Sequence, residues 1–284
     1  MADTKRIKHA KQVRVIPGFG LTLGITIAML SLLIIIPLAS VLLYSFQLNP
    51  SEFWKLITAQ NVINAFKASI ICALIAALIN SVFGLILAWV LVKYEFPGKR
   101  LLDGLIELPF ALPTAVAGIT LSKMYSNTGF PGSFFSSIGI DISYTHIGIV
   151  IALIFIGIPF TVRAVQPVLE KLDGQYEEAA YILGASRTKT FFKVIFPELF
   201  PSLLTGFGLA LARGIGEYGS VIYISGNSAK NGTQVVSYVI MQKLERMDYA
   251  SATAIALVLL IISFLLLFAV NIIQIRRSRR ISVR

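Results

Sequence analysis

Only 14% of the residues are charged, so any chemistry must come from few side chains. The first candidates are Arg213 and Glu217, in Ala212-Arg-Gly-Ile-Gly-Glu-Tyr-Gly-Ser220, inside an otherwise apolar run. Four residues of separation put both on one face of a helix. An ionised side chain at mid-bilayer costs about 2.5–3.5 kcal/mol unless it is paired or faces water. Two compatible readings follow. The pair is an internal ion bridge that lets its helix pack, or it lines a pathway in which Arg213 attracts a passing anion and Glu217 keeps that attraction from becoming a trap. Gly214, Gly216 and Gly219 suit both readings. They allow close helix approach, and they leave backbone N–H groups open to an anion where the helix is irregular.

The second constellation is Asp173 to Pro197, DGQYEEAAYILGASRTKTFFKVIFP, a charged amphipathic stretch in an apolar chain. Asp173 is placed to cap a helix beginning at Gly174, with Glu177 and Glu178 in its early turns, where negative charge suits the helix dipole. The helix is expected to end near Gly184, giving a rod of about eleven residues and roughly 16 Å. Ser186 then caps a basic, aromatic helix that leads into Pro197. Ala179 and Ala180 make one face thin enough to seat in a groove, and Glu178 is free to pair with a partner's Arg or Lys. An ordinary amphipathic surface helix would not require small residues and glycine at those intervals.

Other chemistry finds no support. No Gly-x-x-x-x-Gly-Lys-Ser/Thr loop is present, and Gly98-Lys99-Arg100 and the Gly184 to Lys189 stretch both fail the spacing that cradles phosphates. The chain therefore has no ATPase site of its own. His9 and His146 lie far apart, so neither a metal site nor a catalytic dyad is expected. Cys72, the single cysteine, sits in an apolar run and reads as a small buried side chain. No catalytic residue is assigned.

A chain of 284 residues that is 56% hydrophobic belongs in a bilayer. Its net charge of +11 sits at the ends and in short loops, without the basic and aromatic surface that binds nucleic acid. Met1 to Arg14 is polar and basic, and the run from Gly18 to Tyr44 is too long for a cleaved signal, so it reads as a retained first span. Stretches able to cross about 30 Å of hydrocarbon occur near Phe19–Phe46, Ala65–Val92, Leu105–Tyr125, Ile147–Val168, Leu199–Ile224 and Ala250–Ile275. The expectation is an all-α polytopic membrane protein of about six helices. Its single transmembrane domain covers 19–275, with tails at 1–18 and 276–284. Pro37, Pro109, Pro113, Pro159 and Pro201 are expected to kink their helices.

Lys and Arg set orientation. The N-terminal tail holds Lys5, Arg6, Lys8, Lys11 and Arg14, and the loop after span two holds Lys93, Lys99 and Arg100. The loop after span four holds Arg163, Lys171, Arg187, Lys189 and Lys193, and the C-terminal tail holds Arg276, Arg277, Arg279, Arg280 and Arg284. That is eighteen on one side against six on the other. Both termini and the 173–197 loop are therefore expected in the cytoplasm. On the opposite side, Val235, Val236, Val239, Ile240, Leu244 and Met247 recur at helical spacing and suggest a short helix along the outer surface.

The spacing of Glu178-Ala179-Ala180, Gly184, Val194 and Phe196-Pro197 resembles the cytoplasmic loop that membrane subunits of ATP-binding-cassette importers insert into their ATPase. That family prefers Ile and Leu where this chain has Val194 and Phe196. Over nearly its whole length the chain is similar to the sulfate/thiosulfate permease subunits of such importers. The matching stretches are Arg100 to Gly118, Pro159 to Glu170 and Gly216 to Asn227, with Tyr218 standing where Phe is frequent. The resemblance implies a type I importer permease fold in the bacterial inner membrane. It further implies a homologous second permease, two ATPase subunits that bind ATP and Mg, and an extracytoplasmic sulfate-binding protein. In such a machine the 173–197 helices act as levers. Molybdate or tungstate is the alternative cargo within the class. An ion-coupled secondary anion carrier is the alternative of another class; it calls for inverted halves with interrupted helices, a symmetry the sequence does not display.

Overall fold

Apolar runs that exceed the hydrocarbon thickness can satisfy their backbone groups in lipid only as helices or closed barrels, and every regular element among the described residues is helical. The computed structural model describes residues 19–172 and 174–282. In chain order the helices are α1 (Phe19–Ser45), α2 (Pro50–Ile57), α3 (Gln60–Lys93), α4 (Lys99–Ala111), α5 (Thr114–Met124) and α6 (Gly132–Ser137). They continue with α7 (His146–Lys171), α8 (Gln175–Ile182), α9 (Arg187–Ile215), α10 (Val221–Ile224), α11 (Val236–Glu245) and α12 (Tyr249–Ser282). Five of them are long and apolar enough to cross a membrane, and the bent pair α4 and α5 makes a sixth crossing if counted as one span.

Two spans that read as continuous in the sequence are broken. In place of one helix over Leu105–Tyr125, the chain bends by 112° between α4 and α5. Pro113 is the cause: Leu112 before it is extended, at φ −85° and ψ 136°, as a following proline ring demands. In place of Leu199–Ile224, α9 starts about three turns earlier, at Arg187, and stops at Ile215. Gly216 caps it, and Val221–Ile224 is a separate turn. Pro37 and Pro197 act differently. A proline cannot donate to the carbonyl four residues back and crowds it. Those carbonyls, of Leu33 and Lys193, fall inside the widened π-helical turns Ser31–Ile35 and Phe191–Ile195.

The centre is the packing of α3, α7 and α9. Asn80 of α3 faces Gly157 of α7, and Gly84 faces Thr161, so these helices run the same way. Gly214 of α9 meets Ala73, and Gly206 meets Thr161, so α9 runs against them. A Cβ added at Gly84 would come within 2.7 Å of the Thr161 side chain; small residues here set how closely the backbones approach. Ala73, Ala76, Ala77, Ile149, Leu153, Leu211 and Ile215 fill the space between the three. Helix α12 covers α9, α1 leans on α12, and α11 lies across α3 and α12. The Val236 N–H donates to Ser69 Oγ at 2.8 Å, and Val236 and Val239 are buried, so the short helix expected over 235–247 forms and packs on the bundle.

Candidate functional site

The candidate loop lies where α3 and α7 end and α9 begins. Helix α8 runs Gln175–Ile182, eight residues and therefore about 12 Å, shorter than the rod expected from the sequence. Gly174 occupies the cap position; Asp173, expected to cap, lies outside the described residues, as do residues 1–18 and the side chains of Arg279, Arg280 and Arg284. The helix closes through paired bonds: Ala185 N–H donates to the Ala180 carbonyl at 2.9 Å and Gly184 N–H to the Tyr181 carbonyl at 2.9 Å. This motif puts its penultimate residue in the left-handed region, and Gly184 stands there at φ +75°. Ser186 Oγ accepts from Lys189 N–H at 3.4 Å, capping α9 as anticipated.

The structure divides the loop residues into an inner and an outer set. Glu177 does not face outward: it pairs with Lys93, at the end of α3, at 2.6 Å. Ala180 is buried against the body while Ala179 is exposed, so the two alanines do not share one free face. Glu178 is exposed, beside Tyr176, Ile182 at 86% and Leu183 at 85% exposure. These three apolar side chains, with Glu178 and Ala179, form the outer surface. The spacing analysis passed over them because it weighed small and acidic positions. The inner side is an anchor: Phe191 meets Trp89 edge to face at 5.2 Å, Lys93 Nζ lies 5.6 Å from the Trp89 ring centroid, and Ile195 and Leu199 are buried against Ala88, Leu91 and Val165. Pro197 sits just after the widened turn, continuing into α9.

Arg213 and Glu217 lie sixteen and twenty residues beyond Pro197, at the far end of α9. They are joined at 2.6 Å, and Glu217 has 1% side-chain exposure against 39% for Arg213. Glu217 is past the helix end rather than within it. Its Oε1 accepts from Ser220 N–H at 2.9 Å and from Ser220 Oγ at 3.1 Å, and its carbonyl accepts from Ser237 Oγ at 2.7 Å. The carboxylate therefore holds the break shut while the guanidinium keeps an open side. Gly216 is the cap and Gly214 packs on Ala73. The two helix breaks also meet: a Cβ at Gly118 would strike the Ser220 backbone, and one at Gly219 would strike Thr114. Close backbone contact joins the start of α5 to residues 219–220.

A third charged cluster escaped the sequence reading. Arg163, counted there among loop residues, is inside α7, where it pairs with Asp103 and Glu107 of α4 at 2.7 Å each. It also donates to Gln166 at 2.6 Å. Asp103 and Glu107, one turn apart ahead of Pro109, were the available signal. Among the described residues no group of three or more His, Cys, Asp or Glu side chains is placed to hold a metal ion.

Residues 80–283 match the model of the family described as binding-protein-dependent transport system inner membrane component. The chain is 46% identical over 268 residues to a sulfate transport system permease protein of Salmonella typhimurium, covering 94% of this chain and 96% of that one. It is 43% identical over 250 residues to a protein of the same description from Synechocystis, covering 88% and 87%. Its fold superposes with a TM-score of 0.75, at 18% identity and with 91% and 95% coverage, on a chain of a bacterial ABC transporter involved in import of the acidic polysaccharide alginate. The broken spans, the helical loop on the bundle's end and these matches agree: the chain belongs to the inner membrane components of binding-protein-dependent transport systems.

Proposed function

We propose that this chain is the permease subunit of an ATP-driven importer that carries sulfate and thiosulfate across the bacterial inner membrane. The observation that carries the cargo is the 46% identity, across 94% of the chain, to a sulfate transport permease. The excess of Lys and Arg at the tails and around residues 173–197 puts both termini and the loop in the cytoplasm. There Glu178, Ala179, Ile182 and Leu183 offer an apolar, acid-edged surface to a partner ATPase, while Glu177 and Ala180 tie the same helix to the body. The full machine comprises a homologous second permease, two ATPase subunits that bind ATP and Mg, and an extracytoplasmic sulfate-binding protein.

Arg213 supplies the pathway's attraction for the anion. Its pairing with Glu217 keeps that attraction weak enough for release. Selection of the anion then falls to the binding protein. Closure of the ATPases displaces α8, and α9 carries the displacement toward the break at 216–220. The ligand-driven shift needs contacts that differ between the two states, and the docked outer surface of α8 provides them.

The test is anion uptake in cells lacking only this chain. Sulfate and thiosulfate uptake should disappear and return with the wild-type chain, while molybdate uptake stays unchanged. Loss of molybdate uptake with sulfate uptake intact refutes the cargo assignment.

A further inference from the structure

A cavity of about 470 Å³ opens between α3 and α7, at the end of the molecule opposite residues 174–197. Its walls are aliphatic, principally Ile71 and Ile75 of α3 and Ile147 and Val150 of α7. From Lys67 to Ile75 it follows α3 for about 12 Å, close to the depth of one leaflet's hydrocarbon at about 15 Å. Polar groups stand only at the mouth: Asn64, Lys67 and His146, whose Nε2 lies 3.0 Å from the Gly232 carbonyl and is held there. Lys67 is exposed, lies about two turns inside α3, and stands on a cavity whose lining includes no carboxylate. None of the ion pairs among the described residues includes it.

An ammonium in no ion pair near the end of a span lies where anionic headgroups are and draws an anionic partner. A hydrated inorganic anion does not suit the cavity, since one cation above aliphatic walls offers no set of donors to replace its water. The pattern is amphiphilic: a positive group at the rim and a leaflet-deep apolar slot beneath it. We propose that this groove seats one acyl chain of an anionic phospholipid whose phosphate pairs with Lys67. The bound lipid fills the space between the outer halves of α3 and α7 and neutralises the lysine at the groove's mouth. The site is independent of the cargo assignment.

The experiment uses the full chain, purified with the subunits that accompany it and held in nanodiscs of mixed phosphatidylglycerol and phosphatidylcholine. Retained lipids are then counted by native mass spectrometry. One basic side chain near the surface is expected to favour phosphatidylglycerol about fivefold. Lys67→Arg should keep that preference and Lys67→Gln should abolish it. Ile71→Trp, which fills the groove without touching the charge, should lower retention of both lipids. Equal retention of the two lipids by the wild type, or an unchanged preference in Lys67→Gln, overturns the proposal. Displacement by excess sulfate assigns Lys67 to the anion pathway instead. A photocrosslinker at Ile71 that captures a protein subunit rather than lipid gives the groove to a protein neighbour.

Discussion

Arg213→Ala separates packing from transport at the break after α9. The substitution takes the 2.6 Å partner from a carboxylate with 1% side-chain exposure. Removing one partner of a fully buried pair costs about 3–5 kcal/mol, because the other charge is left behind. Arg213 is 39% exposed, so its charge is already partly solvated, and Ser220 still gives Glu217 two hydrogen bonds. The expected loss is therefore nearer ~2 kcal/mol. It belongs to the stranded carboxylate. Adding Glu217→Gln removes that charge, while the amide oxygen can still accept from Ser220. The double variant Arg213→Ala, Glu217→Gln should return to within ~1 kcal/mol of the wild type. Thermal unfolding of the purified chain measures this step. Sulfate uptake in cells measures the other: loss of a charge-assisted bond of about 1.5–3 kcal/mol should hold the stable double variant at a tenth or less of wild-type uptake, by the tenfold per ~1.4 kcal/mol relation. If uptake returns together with stability, Arg213 serves packing alone and the pathway role fails.

Glu178→Arg, or Ile182→Asp on the same outer surface, should leave the chain in the membrane and abolish co-purification of the ATPase; normal recruitment by both refutes docking through α8. Gly184→Val forces a β-branched residue to φ +75°, a strain of roughly 1–2 kcal/mol, and should loosen α8 and weaken the same co-purification without lowering membrane levels. Arg163→Ala removes the shared partner of Asp103 and Glu107, which are 40% and 57% exposed, and should destabilise the chain by no more than ~1 kcal/mol; adding Asp103→Asn and Glu107→Gln should restore it, whereas no recovery would mean the lost arginine packing dominates. Burial raises the Asp248 pKa, but its pair with Lys243 and the Ser251 N–H outweigh this and hold the carboxyl below its usual value. A depressed carboxylate stabilises above its unfolded pKa and loses that contribution as pH falls through the folded one. Asp248→Asn should therefore cost ~0.5 kcal/mol at neutral pH, as expected of an exposed pair, with the difference closing below about pH 4. A pH-independent difference in the thermal scans would remove the charge from the explanation.

What was legible in the sequence follows from which forces are local. Spans at 65–92, 147–168 and 250–275 were evident because hydrocarbon thickness and backbone satisfaction leave a long apolar run little choice; they appear as α3, α7 and α12 with ends moved by a few residues. The breaks were harder. Hydropathy is blind to the dihedral that Pro113 imposes on Leu112 and to the end that Gly216 gives α9, so two broken elements read as continuous spans. Spacing found Gly184 and Ser186, whose capping roles are set within a turn or two. It could not tell that Glu177 reaches Lys93, 84 residues away in the chain, or that Arg163 pairs with Asp103 and Glu107. Long-range ion pairs depend on which helix ends the packing brings together. The exposed Ile182 and Leu183 were missed for the opposite reason: in a chain this apolar, two more aliphatic residues carry no signal until the structure leaves them outside.

The same contrast bears on coupling. Helix α9 links the loop to the break without interruption from Arg187 to Ile215, 29 residues and about 43 Å. Its one irregularity, the π-helical turn at Phe191–Ile195, falls where Phe191 locks onto Trp89 and Ile195 is buried. A widened turn is a weak point in a lever unless it is clamped. Here the clamp comes from α3, the helix that also holds Glu177 through Lys93. Under the proposed docking, a displacement of α8 would bear on α3 and α9 together, which Ala73 and Gly214 hold in contact. The helix is interrupted after Ile215, where Glu217 and Ser220 replace helical hydrogen bonds and the backbone rests on α5. In the proposed mechanism a push at the loop that leaves the three-helix core rigid would reappear there, beside the open side of Arg213.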